Sequence, residues 1–496
     1  MTPLAEALRA AGVGEVVDER TARERYGRDG SHLLGRPAAA VRPRGPDDLV
    51  RLVGWARAHR VPIVARGAGS SLDGESVPPD GAVVVDFSGW AGPPEIDVRN
   101  RSAWVDPGVV NRELDRALRP HGLFYPPNPG SWTVSTLGGN VTTNAAGPRS
   151  FKYGSTRDWV LELEAVLGTG ERIRVGGATR KRSVGPDLRA LLVGSEGTLG
   201  LVTRIRVRLA LRPRRRAALV VPLPPEARLC AVAEAIARWP GERVSAIEYL
   251  DTISADALAA EARGRIPSGS AVVLVELESA SEEEETALLS SVADRLRALG
   301  VPGDPLVEPD ADELWTLRGR SGPALDGRLG ERIREDVAVP IDRIDALRES
   351  IDAIARRHGL EVAVFGHVGD GNLHPNFAID PAGPAAASVR AELLASARAL
   401  GGTISAEHGV GRLKRDHLPL ELDAPSLALL RGLKRLCDPD GILNPGALLP
   451  DEPTAAPGAD SGAGGSPSGG RGGRSRRASP TVRRGPRAAG HRRRRS

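Results

Sequence analysis

The stretch PPNPGSWTVSTLGGNVTTNAAGPRSFKYG, residues 126–154, decides the fold of this chain. It concentrates glycine, small hydroxyl residues and three asparagines, so we predict that it is too irregular to form a packed helix or strand. Backbone with little side-chain bulk allows a large polar molecule to approach closely. The stretch LLVGSEGTLGLVT, residues 191–203, has a similar composition and is a second candidate for the same kind of contact.

A glycine-rich turn precedes both stretches. The sequence RGAGSSL at 66–72 follows a predicted strand and opens like a dinucleotide-binding fingerprint, but Leu72 stands at the third glycine position. The residues that follow, DGESVPPDG, are turn formers, which excludes a helix here and disfavours a Rossmann pyrophosphate site. The turn still offers clustered backbone N–H groups that suit a phosphate, although by itself it could be a simple turn.

Outward from these stretches, short β-branched runs alternate with helical segments, which predicts an α+β architecture. A helix is predicted over 46–59, and strands over 61–65, 82–87, 159–167, 172–175 and 200–209. The run 212–216, RPRRR, is the predicted boundary to a second domain with helices over 226–239 and 282–299 and a strand over 271–277. An N-terminal helical segment, 1–36, precedes both domains.

The basic net charge of +5 comes from the C-terminal tail. Residues 451–496 carry 11 arginines against three acidic residues, a charge of +8, so the rest of the chain carries −3. A mildly acidic body excludes a nucleic-acid-binding domain, and a tail of Gly, Ser, Pro and Arg is predicted to be disordered. It is either a solvated extension, including out-of-frame read-through, or a contact for an anionic partner.

Composition also bears on location. The two cysteines, Cys230 and Cys437, lie outside any metal-ligand or disulfide pattern, which favours a reducing cytoplasm. No run of about 18 apolar residues is present, so no membrane-spanning helix is expected, while peripheral contact with a membrane and a homodimer both stay open.

Histidines cluster in two polar motifs, GHVGDGNLH at 366–374 and SAEHGVGR at 405–412. The first predicts a hairpin with a four-residue loop at 369–372, in which His367 pairs with His374. Cross-strand partners are close enough for both imidazoles to bind one divalent ion, with Glu407 as the best third ligand. The alternative is a hydrogen-bonded hairpin with a surface carboxylate.

Together these segments resemble the FAD-binding domain of the vanillyl-alcohol oxidase/PCMH flavoprotein superfamily, in the branch of D-lactate dehydrogenase, glycolate oxidase D subunit and D-2-hydroxyglutarate dehydrogenase. The resemblance implies a PCMH-type FAD-binding domain of two subdomains over 37–212 and an α+β substrate (cap) domain over 217–449 whose end returns to the FAD domain. It implies noncovalent FAD held by Arg66, Gly67, Gly69, Ser70, Ser71, Leu72, Pro129, Thr136, Gly138, Gly139, Asn140, Asn144, Gly147, Glu196, Gly197, Gly200, Val202 and Asn444.

The same resemblance assigns the chemistry. His367, His374 and Glu407 are implied metal ligands, with Zn²⁺ the first choice, and His408 is the implied base. Arg318, in LWTLR, resembles the arginine that binds the substrate carboxylate, for which a planar guanidinium is suited. Arg334 is a candidate for a second substrate carboxylate. The motif AIEYLD at 246–251 also matches the family and is interpreted as structural.

The expected activity is therefore hydride transfer from C2 of a small D-2-hydroxy acid to FAD, with a quinone, a cytochrome or an electron-transfer flavoprotein as the later electron acceptor. D-lactate or a similar monocarboxylate is the first expected substrate, ahead of D-2-hydroxyglutarate and glycolate. Two alternatives stay open: a metal-dependent hydrolase that uses the histidine cluster, and a flavin-binding subunit without turnover. The related ether-lipid synthase is disfavoured, because the metal motifs are intact.

Overall fold

A computed structural model describes residues 3–179, 181–238, 243–301, 305–308 and 311–451, and all structural statements below concern these residues. The predicted basic tail lies outside them, apart from Asp451. The strands are β1 (Glu15–Val17), β2 (Ala39–Arg42), β3 (Ile63–Arg66), β4 (Val83–Asp86), β5 (Glu95–Asp97), β6 (Ser102–Val105), β7 (Leu123–Phe124), β8 (Val160–Leu167), β9 (Arg172–Gly176), β10 (Gly200–Arg208), β11 (Ala210–Leu211), β12 (Arg215–Leu223), β13 (Val244–Leu250), β14 (Ala271–Ser279), β15 (Leu306–Glu308), β16 (Arg332–Arg334), β17 (Val337–Ala338), β18 (Val362–Gly366) and β19 (Asn372–Ala378).

Helices alternate with these strands, and four short 3₁₀ turns lie at Arg119–His121, Ile341–Arg343, Val368–Asp370 and Arg415–His417. The α-helices are α1 (Pro3–Ala10), α2 (Glu19–Tyr26), α3 (Pro46–His59), α4 (Asn111–Leu118), α5 (Leu137–Thr143), α6 (Ser150–Tyr153), α7 (Thr156–Trp159), α8 (Arg189–Leu192), α9 (Leu229–Ala237), α10 (Thr252–Ala262), α11 (Glu282–Ala298), α12 (Ala311–Arg318), α13 (Ser321–Ala324), α14 (Asp326–Leu329), α15 (Ile344–His358), α16 (Pro384–Ala399), α17 (Leu418–Glu421) and α18 (Ala424–Cys437).

The first sheet has the strand order β1–β2–β4–β3, with β2, β3 and β4 parallel. Strand β4 reads VVVD and is buried at every position, as expected for a parallel strand covered on both faces. Helix α3 connects β2 to β3; Pro46 lies in its first turn and Arg60 ends it in the left-handed conformation, so the predicted helix is confirmed. After α18 the chain returns to this sheet, where Leu443 forms a parallel bridge with Ile63.

The second sheet is antiparallel, in the order β5–β6–β10–β8–β9. In β10 the side chains alternate: Ile205 and Val207 are buried in the core, whereas Arg204 and Arg206 lie over the ring of Trp104. One face of this sheet is therefore packed and the other faces solvent. The strands predicted over 159–167, 172–175 and 200–209 are confirmed to within one residue at either end.

The third sheet is the largest and runs β15–β12–β14–β13–β18–β19–β16, with β17 paired to β19. Strand β14 is apolar on both faces: Val273 and Val275 pack with α9, α11, α15 and α16, and Val272 and Leu274 pack with α10 and α12. Because successive side chains of a strand point to opposite faces, this pattern requires a helix layer on each side. The segment 212–216 connects the second sheet to β12 and so to the third.

The structure corrects the prediction that segment 126–154 is too irregular to form a packed helix, because this segment contains α5 and α6. The Thr136 hydroxyl oxygen accepts a hydrogen bond from the Gly139 backbone N–H and caps α5. Leu137 and Val141 on this helix are fully buried in the core of the second sheet. Tertiary packing therefore overrides the low helix propensity of glycine and β-branched residues.

The hairpin of β18 and β19 corrects a second prediction. His374 pairs with Phe365, not with His367, and a 3₁₀ turn from Val368 to Asp370 replaces the predicted four-residue loop. The register differs from the predicted one by an even number of residues, so His367 and His374 still share a face. Their ring centroids lie 5.0 Å apart. Among the described residues, no helix is long and apolar enough to cross a membrane.

Candidate active site

A cavity of about 410 Å³ lies where the three sheets meet. It brings together nearly all of the predicted site residues, although they come from six separate stretches of the chain, 66–72, 129–140, 196–202, 318–334, 367–374 and 407–408. The lining includes Arg66, Gly67, Gly69, Ser70, Ser71, Leu72, Pro129, Thr136, Gly138, Gly139, Asn140, Glu196, Gly197, Gly200, Val202, Arg318, Arg334, His367, His374, Glu407 and His408. Three predicted cofactor residues, Asn144, Gly147 and Asn444, do not line it.

The glycine turn after β3 forms one wall. A Cβ atom on Gly67 would lie 2.1 Å from the Thr136 hydroxyl oxygen, and Gly69 has a positive φ of 69°, so side chains are excluded at both positions. Among the described residues, none accepts a hydrogen bond from the backbone N–H groups of 67–71. These N–H groups are free to bind an anionic group in the cavity.

The three predicted residues outside the lining contact the backbone next to it. Asn144 ends α5 in the left-handed conformation, and its side-chain oxygen accepts from the Arg157 backbone N–H at 2.9 Å. Gly147 packs so tightly on the Asn128 backbone that a Cβ atom would clash at 2.2 Å. The Asn444 amide donates to the backbone oxygen of Glu196 at 2.8 Å. These contacts fix the local backbone, and binding of FAD by the three residues stays a prediction.

The histidine cluster also lines the cavity, and its three imidazoles surround one oxygen, Oε1 of Glu407. This atom is 3.2 Å from His367 Nε2, 3.4 Å from His374 Nε2 and 3.7 Å from His408 Nε2. The rings of His374 and His408 are stacked at 5.0 Å. Four side chains from two motifs about 40 residues apart therefore direct their polar atoms at one point.

Asp336 holds the segment that carries Glu407 and His408. Its Oδ2 accepts from the backbone N–H groups of Ala406, Glu407 and His408 at 2.8, 2.8 and 2.9 Å. Burial would raise the pKa of Asp336, but its electrostatic interactions with His408, Lys414 and His374 outweigh burial and lower it. The sequence provided no indication of this role, because Asp336 lies in REDVAVP, residues 334–340, which resembles any acidic surface turn.

Residues just after His408 in the same segment contact Glu196, which lines the cavity. Oε1 and Oε2 of Glu196 accept from the backbone N–H groups of Val410 and Gly411 at 2.7 and 2.9 Å. Lys414, which is fully buried, lies 3.2 Å from Asp73 Oδ2 in the glycine turn region. The chain from Glu407 to Lys414 thus joins the histidine cluster to the glycine-rich wall.

Glu248, in the AIEYLD motif interpreted as structural, lies at the active site and is fully buried. Its Oε1 is 2.6 Å from Nδ1 of His367, and its Oε2 is 2.8 Å from a terminal nitrogen of Arg318. Burial would lower the pKa of His367, but the carboxylates of Glu248 and Glu407 outweigh burial and raise that pKa to about 10. The cluster is therefore an environment that attracts positive charge.

Arg318 is a cationic side chain that lines the cavity. It is buried, its guanidinium lies 4.8 Å from the centre of the Phe365 ring, and its Nε has no hydrogen-bond partner. Arg334 also lines the cavity, but it is 39% exposed and lies 3.3 Å from Asp326. Arg318 pairs with Glu248 but keeps nitrogens that make no hydrogen bond and can donate to a ligand carboxylate, whereas Arg334 already donates to Asp326.

His408 is the cavity histidine best suited to accept a proton. Burial lowers its pKa to about 4, although the nearby Asp336 carboxylate opposes this shift. A histidine with such a pKa is neutral near pH 7 and has a free lone pair. Its Nδ1 has no hydrogen-bond partner among the described residues.

Comparison with known proteins identifies the family. Residues 37–176 match the model "FAD binding domain", and residues 212–448 match the model "FAD linked oxidases, C-terminal domain". The glycolate oxidase subunit GlcD of Bacillus subtilis (strain 168) is 36% identical over 430 residues, which cover 83% of this chain and 89% of that protein. The chain belongs to the FAD-linked oxidase family.

Further relatives of this FAD-linked oxidase include a D-lactate dehydrogenase of Archaeoglobus fulgidus, 34% identical over 447 residues that cover 88% of this chain and 98% of that protein. A D-2-hydroxyglutarate dehydrogenase of Stutzerimonas stutzeri is 31% identical, with 88% and 96% covered. Among solved structures, p-cresol methylhydroxylase with substrate bound superposes with a TM-score of 0.75 at 17% identity, covering 89% of this chain and 96% of that one.

These comparisons confirm the predicted PCMH-type fold and show that the protein is an FAD-linked oxidoreductase. The metal-dependent hydrolase considered from the sequence is therefore wrong. The cavity fits the cofactor, because glycine backbone with unused N–H groups lies beside it at 67–71.

The histidine cluster fits a divalent cation. Ligand bonds of about 2.0–2.1 Å at a tetrahedral angle place neighbouring donor atoms about 3.3–3.4 Å apart. The separations of Glu407 Oε1 from the Nε2 atoms of His367 and His374 are 3.2 and 3.4 Å. Two imidazoles and one carboxylate are also the donor set of many catalytic zinc sites.

Proposed function

We propose that the protein oxidises a small D-2-hydroxy acid, with D-lactate as the first choice, to the 2-oxo acid, and that a divalent cation assists. One observation carries the proposal: the three candidate metal ligands, the candidate base His408 and the buried Arg318 line the same cavity as the FAD-binding segments. FAD would supply the two-electron oxidation by accepting a hydride, and Zn²⁺ or a similar ion would polarise the substrate hydroxyl.

The side chains of the cavity then have separate roles. Arg318 binds the substrate carboxylate, since its buried guanidinium has unused donors. His408 takes the hydroxyl proton at Nε2, the nitrogen nearest to Glu407. His367, His374 and Glu407 would hold the cation. As C2 loses its hydride and the hydroxyl loses its proton, the carbon–oxygen bond becomes the carbonyl of the 2-oxo acid.

Relatives are named for glycolate, D-lactate and D-2-hydroxyglutarate, which supports a small 2-hydroxy acid as the substrate. We favour a monocarboxylate, because Arg318 is the buried, available guanidinium and Arg334 is half-exposed and paired with Asp326. D-2-hydroxyglutarate would require Arg334 to leave Asp326 and bind the distal carboxylate. A quinone, a cytochrome or an electron-transfer flavoprotein would reoxidise the flavin.

The decisive experiment is anaerobic mixing of the purified yellow protein with glycolate and with the D and L forms of lactate and 2-hydroxyglutarate, with flavin absorbance as the readout. We expect D-lactate to bleach the flavin fastest and its L form to leave the flavin oxidised. A flavin that stays oxidised with every acid would indicate a flavin-binding subunit without turnover. Metal analysis of the same sample, and of His374→Ala, tests the cation: the variant should lose metal and turnover but retain FAD.

A further inference from the structure

We infer that Glu248 is a positioning residue that serves the metal site and the substrate site at once, by directing Nε2 of His367 at the cation and holding Arg318 toward the substrate carboxylate. The inference rests on the proposed function and extends it. It assigns a role in the reaction to a motif that the sequence pattern alone indicated to be structural.

The geometry separates the two tasks between the two carboxylate oxygens. Oε1 lies 2.6 Å from Nδ1 of His367, and Oε2 lies 2.8 Å from a terminal nitrogen of Arg318. Glu248 is fully buried on β13, an inner strand of the third sheet, so it cannot move away from either partner. One rigid anion therefore lies between a candidate metal ligand and the candidate substrate cation.

The contact with His367 determines which ring nitrogen can bind a cation. A carboxylate that accepts a hydrogen bond from Nδ1–H keeps a proton on that nitrogen, so Nε2 is the nitrogen that gives up its proton when a cation binds. Nε2 is the nitrogen that faces Glu407, at 3.2 Å. Among the described residues, Glu248 is the carboxylate that pairs with Nδ1, so without it both the orientation and the tautomer of the ring are less restricted.

The contact with Arg318 is electrostatic. The two groups are close, but the alignment is too poor for a hydrogen bond, and Nε of Arg318 also has no partner. Among the described residues, Glu248 is the carboxylate that forms an ion pair with this buried guanidinium. The pairing compensates the charge of Arg318 without using its donors fully, so donors remain for a substrate carboxylate.

A merely structural role is the alternative, and Glu276 offers a matched control. It is equally buried, lies on the neighbouring strand β14, and pairs with Arg149 at 2.9 Å while accepting from the Ser245 hydroxyl at 2.7 Å. Neither glutamate lines the cavity itself, but the partners of Glu248 do, whereas Arg149 and Ser245 do not. Its loss should destabilise the fold without a specific effect on metal or substrate.

The test compares wild type, Glu248→Gln and Glu276→Gln as FAD-loaded proteins. Zn²⁺ affinity is measured by competition with a chelator. The limiting rate and half-saturating concentration of anaerobic flavin reduction are measured with the acid that bleaches the wild type fastest. For Glu248→Gln we expect Zn²⁺ affinity to fall about 10- to 100-fold. The half-saturating concentration should rise about 10-fold or more, the loss expected for one charged hydrogen bond.

Glu276→Gln should lower the melting temperature and leave both quantities at their wild-type values. If Glu248→Gln shows only one of the two effects, or neither, the shared role is overturned. If Glu248→Gln does not retain FAD, Glu248→Asp decides, because it keeps the charge and should show both losses to a smaller degree. A wild type that binds no Zn²⁺ or reduces no flavin would instead contradict the proposed function itself.

Discussion

Asp336→Asn is expected to lower both the free energy of unfolding and the rate of flavin reduction, because Asp336 holds the segment with Glu407 and His408. Its Oδ2 accepts three backbone N–H bonds and the Ser405 hydroxyl at 3.1 Å. The neutral amide would weaken each of the four from about 1.5–3 to about 0.5–1.5 kcal/mol. We therefore expect a loss of about 4 kcal/mol in the free energy of unfolding.

The amide also replaces Oδ1, which accepts from the side-chain amide of Asn372 at 2.8 Å, by a donor that faces a donor. The segment should shift, and a displacement of about 1 Å at a reacting group can cost about 10²-fold in rate. We expect anaerobic flavin reduction to slow about 10²-fold while FAD stays bound. The loss of stability is measured by urea unfolding.

Asp251→Asn is the matched control, since Asp251 is buried and accepts the backbone N–H groups of Ser254 and Val364 at 2.8 and 2.7 Å, outside the cavity. It should destabilise the protein and leave the reduction rate of the folded fraction unchanged. If Asp336→Asn reduces its flavin at the wild-type rate and unfolds within about 1 kcal/mol of wild type, the reasoning about this segment is refuted.

Arg318→Lys should weaken substrate binding by about 1.5–3 kcal/mol with little change in melting temperature. Lysine keeps the positive charge but loses the planar pair of donors. An unchanged half-saturating concentration would show that Arg318 does not bind the substrate. His408→Asn should keep FAD and metal but slow flavin reduction about 10²–10⁴-fold, and a wild-type rate would exclude it as the base. Burial would raise the pKa of Glu276, but Arg149 outweighs burial and lowers it from 4.5 to about 2. This depressed pKa contributes about 3 kcal/mol of stability above pH 4.5 that is lost as the pH falls toward 2, so urea unfolding of Glu276→Gln should lack that part of the pH dependence. Removal of residues 451–496 should leave flavin content and turnover unchanged, and loss of yellow protein on truncation would contradict this.

Local patterns in the sequence were sufficient for several parts of the site. The helix at 46–59 has a proline in its first turn and an apolar face, and both are properties of the segment itself. His367 and His374 lie on the same face of the hairpin in any register that differs from the predicted one by an even number of residues. They are therefore close together although the predicted pairing was wrong. The glycines at 67 and 69 indicated a turn that only backbone can line.

Other parts depended on tertiary contacts. Helix α5 forms because Leu137 and Val141 are buried in the core of the second sheet, and no local propensity predicts that burial. Glu248 and His367 are 119 residues apart in sequence, and Asp336 and His408 are 72 apart. A carboxylate has the same local signature whether it faces solvent or a buried imidazole. The sequence alone determined which residue types could bind a flavin and a cation, whereas long-range packing decided which carboxylates hold them in place.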